Sequence, residues 1–175
     1  METAINRIEQ GIRALFAFAT PVDLHLANQY LSFKELEAFQ KMSRADQLHS
    51  LNVLRAVLNQ REAVPRPLAV AALMHDVGKC RYHLAVWQKT LAVLVKRLTP
   101  PLADRLGREE NLSIWRAPFV VRSHHAKWSA EILRACCADA AAVWLVEHHQ
   151  ADILALYDHE QAVLLRCLQR ADDAC

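Results

Sequence analysis

The chain has 175 residues, of which 28 are Ala and 25 are Leu, with only three Gly and six Pro. Ala and Leu head the helix-propensity ranking, and neither the turn residues of an all-β domain nor the bounded Val/Ile runs of a parallel sheet are present, so the composition predicts an all-α fold of one domain. The formal net charge of +2, with nine His uncounted, names no partner.

In chain order, the pattern predicts a helix over 3–18 that stops before Pro21, a second from Asp23 to Leu31, and a third that Ser32 caps and that runs through Phe39. Ser43 and Asp46 open a longer helix with a cap and a first-turn acid, and Leu48, Leu51, Leu54, Val57 and Leu58 form its apolar stripe. Residues 61–67 read as a loop. Leu68–Met74 is apolar on every side and predicts a buried helix, closed at Gly78 by a left-handed conformation. A helix follows from Tyr82 to Leu98, broken by Pro100-Pro101, and then a basic insert up to Ile114. Pro118 starts a short helix, with further helices from His125 to Cys137, Asp139 to His149 and Glu160 to Asp172.

Charge is unevenly spread. From Lys79 to Lys127 the chain carries +7 and the remainder −5, a bias that suits an anionic ligand if these residues share a face and a solvated set of helix surfaces if they do not. The five Cys are odd in number and lack C-x-x-C spacing, so they read as buried thiols of a reducing compartment. The N-terminus has no signal-peptide core and no window approaches a membrane span, which predicts a cytoplasmic protein with no membrane partner; no specific nucleic acid is predicted either.

The strongest chemical feature is His75-Asp76 at the end of the apolar helix. A buried carboxylate is costly unless paired or bound to a cation, and a capping Asp beside a core His would satisfy the same dipeptide. His49, His125, His148, His149 and Asp172 alter the weighting, because they are spread over several predicted helices, and bundle-core metal sites draw ligands from facing helices. A His/Asp set without Cys suits a divalent transition metal such as Fe, Mn, Co or Ni.

Taken in order, His49, His75-Asp76-Val-Gly-Lys79, His125-Ala-Lys-Trp-Ser-Ala-Glu-Ile-Leu133, His148-His149 and Ala171-Asp172 resemble the H, HD-x-GK, H, HH and D blocks of the HD-domain metal-dependent phosphohydrolases, in their HDIG-type branch. The resemblance spans about 43–173. It implies an HD-type helical bundle at 43–175, with N-terminal helices of 1–42 packed on it. His49, His75, Asp76 and Asp172 resemble the ligands of a first metal, and Asp76 would bridge to a second held by His125 and His148. His149 would be a third ligand of that second metal or a donor to substrate. The implied cofactor is two divalent ions, Fe or Mn foremost, with Co, Ni or Zn as alternatives.

The implied activity is hydrolysis of a phosphomonoester or phosphodiester of a nucleotide or small phosphorylated metabolite by a metal-bridging hydroxide. Asp76, Lys79 and His149 would be catalytic, with Lys79 facing the scissile phosphate. Other outcomes of the same ligand set are a mixed-valent di-iron oxygenase of the HD fold or a metal-binding sensor without turnover. The residues after His149 run Gln150-Ala-Asp-Ile-Leu-Ala-Leu-Tyr157 rather than the D-G-x-G-Y-P of cyclic-dinucleotide phosphodiesterases. His124 competes with His125, which the Ser129-Ala130-Glu131 spacing favours; Asp173 competes with Asp172, which Ala171 favours. Arg81, Lys89, Arg116, Arg122 and Lys127 are candidates for the entrance used by an anionic, phosphate-containing substrate.

Overall fold

The computed structural model describes residues 20–60, 62–108 and 113–175; the helix expected over 3–18 lies outside them. Helix ends explain much of the local order. α1 (Leu24–Asn28) starts at Asp23, whose carboxylate accepts from the Leu26 N–H at 3.0 Å. α2 (Phe33–Gln40) carries a reciprocal capping box. The Ser32 hydroxyl accepts from Glu35 N, and Glu35 Oε2 accepts from Ser32 N at 2.6 Å, so two otherwise orphaned amides are satisfied. α3 (Arg44–Gln60) opens with Asp46 N donating to Ser43 Oγ at 3.3 Å.

α4 (Arg66–Met74) begins slightly before the expected loop ends, since Pro67 sits in a first turn that needs no N–H. A 3-10 turn follows at Val77–Arg81, then α5 (Val86–Leu98), α6 (Pro100–Gly107), α7 (Ala117–Ala135), α8 (Ala140–His148), a second 3-10 turn (Ile153–Leu156) and α9 (Ala162–Asp173). Among the described residues there is no strand, and the fold is all-α as expected.

Three expectations are corrected. Pro100-Pro101 starts a helix instead of only ending one, because both prolines occupy the first positions of α6. The two helices expected from Pro118 and His125 are one 19-residue helix, with Pro118 in its first turn and no breaker after it. Gly78 has no positive φ; its lack of a side chain serves a close approach described below.

α4 is the central element. Leu68 to Met74 are each at most 1% exposed, and α4 touches α2, α3, α8 and α9. Leu51 and Leu54 of α3, Leu145 of α8 and Leu165 and Leu168 of α9 close around it, joined by Ala27, Phe39 and Met42. Each fully buried Leu contributes about 1.5–3 kcal/mol, so the end of α4 is firmly held. α7 is the second organiser, touching the first 3-10 turn, α5, α6 and α8.

All five Cys are free, but only Cys167 is buried. The expectation of buried thiols fails at Cys137, which is exposed at φ 60° just beyond α7, in a turn and not in a helix. No helix among the described residues is long and apolar enough to cross a membrane.

Candidate metal centre

Because α4 is buried on every side, the two residues at its end emerge inside the molecule. His75, its C-cap, is 1% exposed and Asp76 is 3% exposed. Around them stand His49 from α3, His125 from α7, His149 at the C-cap of α8 and Asp172 from α9. The ligand atoms of His49, His75 and Asp76 lie within 4.8 Å of one another, and so do those of Asp76, His125 and His149.

Asp76 is common to both groups and divides its oxygens between them. Oδ2 is 3.5 Å from His75 Nε2, and Oδ1 is 3.3 Å from His125 Nε2. Asp172 Oδ1 adds a second carboxylate to the first group, 2.9 Å from His49 Nε2 and 3.5 Å from His75 Nε2.

Backbone carbonyls fix the imidazoles. A carbonyl only accepts, so the Nδ1–H of His75 donates to Ala72 O at 3.0 Å, that of His125 to Arg122 O at 2.9 Å and Val121 O at 3.0 Å, and that of His149 to Val146 O at 2.7 Å. The neutral rings therefore present Nε2 lone pairs. His75 Nε2 and His125 Nε2 are buried without a hydrogen-bond partner, yet both face carboxylate oxygens. A lone pair facing an anion in a dry interior calls for a proton or a cation between them. Borderline nitrogen donors and hard carboxylates suit a divalent transition ion, so the residues present fit such a group.

The charges are mutually adjusted. For His149, burial first, and then His75 and His125, push the imidazole down to about 3, so it is neutral at physiological pH. For His75, burial lowers the pKa, but Asp76 and Asp172 together raise it above the ordinary value. Burial works to raise Asp76, yet the Lys79 ammonium and the neighbouring imidazoles hold it well below the usual carboxylate range. Lys79 Nζ donates to Asp76 Oδ2 at 2.5 Å; burial would lower its pKa, and Asp76 and Asp46 raise it more. Its ammonium therefore stays charged.

The first 3-10 turn carries Lys79 into this position by pressing against α7. Gly78 N donates to Ser129 Oγ at 2.7 Å. A Cβ at Gly78 would lie 2.3 Å from His125 O and 2.7 Å from Ser129 N, so only glycine permits the approach.

Of the residues singled out from sequence, His49, His75, Asp76, Lys79, His125, His149 and Asp172 are brought together. His148 belongs to neither 4.8 Å group. Its Nδ1–H donates to Trp144 O at 2.9 Å, and its ring stacks on Trp144 with centroids 4.4 Å apart. The helix period explains the difference, since His149 continues the buried stripe of Ala142, Leu145 and Val146, whereas His148 falls one turn after Trp144. His124 points to Gly107 O at 2.9 Å and stacks on Trp128, while Asp173 is exposed.

A cavity of about 330 Å³ adjoins the centre at Lys79 and His125. Asp46, Tyr82 and Gln150, none of which stood out in the sequence as site residues, line it together with Arg122. Of the proposed entrance residues, Arg81 pairs instead with Glu131 at 2.7 Å, and Arg116 Nε donates to Leu106 O at 3.3 Å.

Fold and site define a helical protein with a His/Asp centre able to hold metal. The model of the family described as HD domain matches residues 47–174. The chain belongs to the HD domain family, a family of the metal-dependent phosphohydrolase type. Comparison with curated proteins and with solved structures finds no match.

Proposed function

We propose that this protein is a phosphohydrolase of the HDIG type that cleaves a phosphomonoester or phosphodiester, with a nucleotide or small phosphorylated metabolite as substrate. One ion would be held by His49, His75, Asp76 and Asp172, and a second by Asp76, His125 and His149. The observation that carries the reading is the division of the Asp76 oxygens between two histidine groups, with Lys79 beside it at the cavity. Bound ions would supply Lewis acidity, making a coordinated water acidic enough to ionise near neutral pH and screening charge on the phosphoryl oxygens.

The chain's own groups do the rest. Lys79 Nζ keeps its protons and faces the cavity, where it offsets charge developing on the nonbridging oxygens. His149, with Nδ1–H committed to Val146 O, offers a lone pair at Nε2 and acts as a ligand. Protein loaded with Fe(II) or Mn(II) and assayed against phosphate mono- and diesters should release phosphate or alcohol, and Asp76→Asn should lower the rate by at least about 100-fold. Turnover unaffected by that change, or oxygen consumption with an organic substrate and no ester cleavage, would sink the reading.

A further inference from the structure

We infer that Arg122 is a specificity-determining residue that binds a second anionic group of the substrate, one turn of α7 away from the reacting phosphate. The identity of the reacting group rests on the hydrolase reading; the role of Arg122 rests on the cavity. Arg122 precedes His125 by three residues on α7, so the two project from one face, separated by a rise of about 4.5 Å. Both line the cavity.

The guanidinium of Arg122 is exposed and makes no hydrogen bond or ion pair with any described residue. Lys79, the other cationic chain in the cavity wall, is already offset by Asp76. The carboxylate that also lines the cavity, Asp46, accepts from Ser43 Oγ at 2.5 Å. Asp46 keeps its charge but forms no ion pair with Arg122, so among the described residues the cationic side chain of the cavity wall without an ion-pair partner is that of Arg122. Leu84, Val93 and Val121, which also line the cavity, are apolar. This arrangement suits a substrate with its phosphate at Lys79, an apolar body along those side chains and a carboxylate or second phosphate at the guanidinium, whose planar fork matches either.

The full chain loaded with Mn(II) is titrated by calorimetry with three probes: phenylphosphonate, 4-phosphonobenzoate and benzene-1,4-bisphosphonate. The expected result is a preference of about 10-fold or more for a doubly anionic probe. Arg122→Gln should bring the affinities to within about twofold, and Arg122→Lys should restore part of the preference. Whether the benzoate or the bisphosphonate gains more identifies the second group as carboxylate or phosphate. Wild-type protein that binds all three alike, or a preference that survives Arg122→Gln, overturns the inference. A wild-type preference that Arg122→Gln abolishes, in protein that turns over no phosphate ester, would remove the hydrolase reading and leave the role of Arg122 standing.

Discussion

At His148 and His149 a single step along the chain turns the side chain by about 100° round the helix axis. That rotation separates a ring stacked on Trp144 from one that stands 5.2–5.3 Å, centroid to centroid, from His125 and His75. His149→Ala should therefore weaken metal binding by more than the roughly 10–100-fold that loss of a ligand's hydrogen-bond partner costs, while His148→Ala, whose ring bonds to and stacks on Trp144, should weaken it by less than about 10-fold. Metal content after gel filtration and a competition titration against a chelator measure both; a greater loss at His148 would reverse the assignment. The paired histidines were legible as a metal-block signature, but the signature does not say which ring turns inward. The stripe of Ala142, Leu145 and Val146 does, because burial follows the helix period. At 124 and 125 the spacing to Ser129-Ala130-Glu131 favours His125, and of the two rings that of His125 is the buried one.

Among the elements, the first 3-10 turn has the narrowest tolerance. Gly78→Ala would set a methyl group against the His125 carbonyl and the Ser129 amide, both backbone atoms of a long, well-packed helix. Relief requires the turn to move away from α7, at about 1–3 kcal/mol or more. The same movement draws Asp76 from His125, so the variant should melt earlier and lose metal from the Asp76, His125 and His149 group first. Wild-type melting together with wild-type metal stoichiometry would contradict this account. The sequence marked Gly78 as special but for the wrong reason, since a glycine needed for contact and a glycine needed for a left-handed turn look alike in one dimension. Proline misled in a related way. At Pro100 and Pro118 the ring is compatible with the first turn of a helix, and only the following residues decide whether a helix starts there.

Across the whole molecule, residues as distant as His49 and Asp172 meet at one centre, so ion binding links α3, α4, α7, α8 and α9. A ligand that binds only the folded state at 100 times its Kd stabilises that state by about 2.7 kcal/mol. For a domain of this length the melting temperature should rise by roughly 5–10 °C on adding saturating Mn(II) or Fe(II), and chelation should reverse the rise. A melting curve indifferent to every divalent transition ion would contradict the centre as described. The all-α class and the order of the ligand blocks were legible because composition and motif order are properties of the chain. The cavity was not, since Asp46, Tyr82, Arg122 and Gln150 meet only after α3, α7 and the segments beyond α4 and α8 have packed.

His75 and His149 share one further property: each is the C-cap of its helix, α4 and α8. The aligned peptide dipoles of a helix place about half a negative charge at that end, so two helices turn negative poles toward the same centre, next to Asp76 and Asp172. These poles and the two carboxylates favour a cation at the centre itself, while the Lys79 ammonium lies to its cavity side. On the proposed hydrolase reading, the ion would be in place before an anionic substrate is admitted, and substrate affinity would then be a measure of metal occupancy.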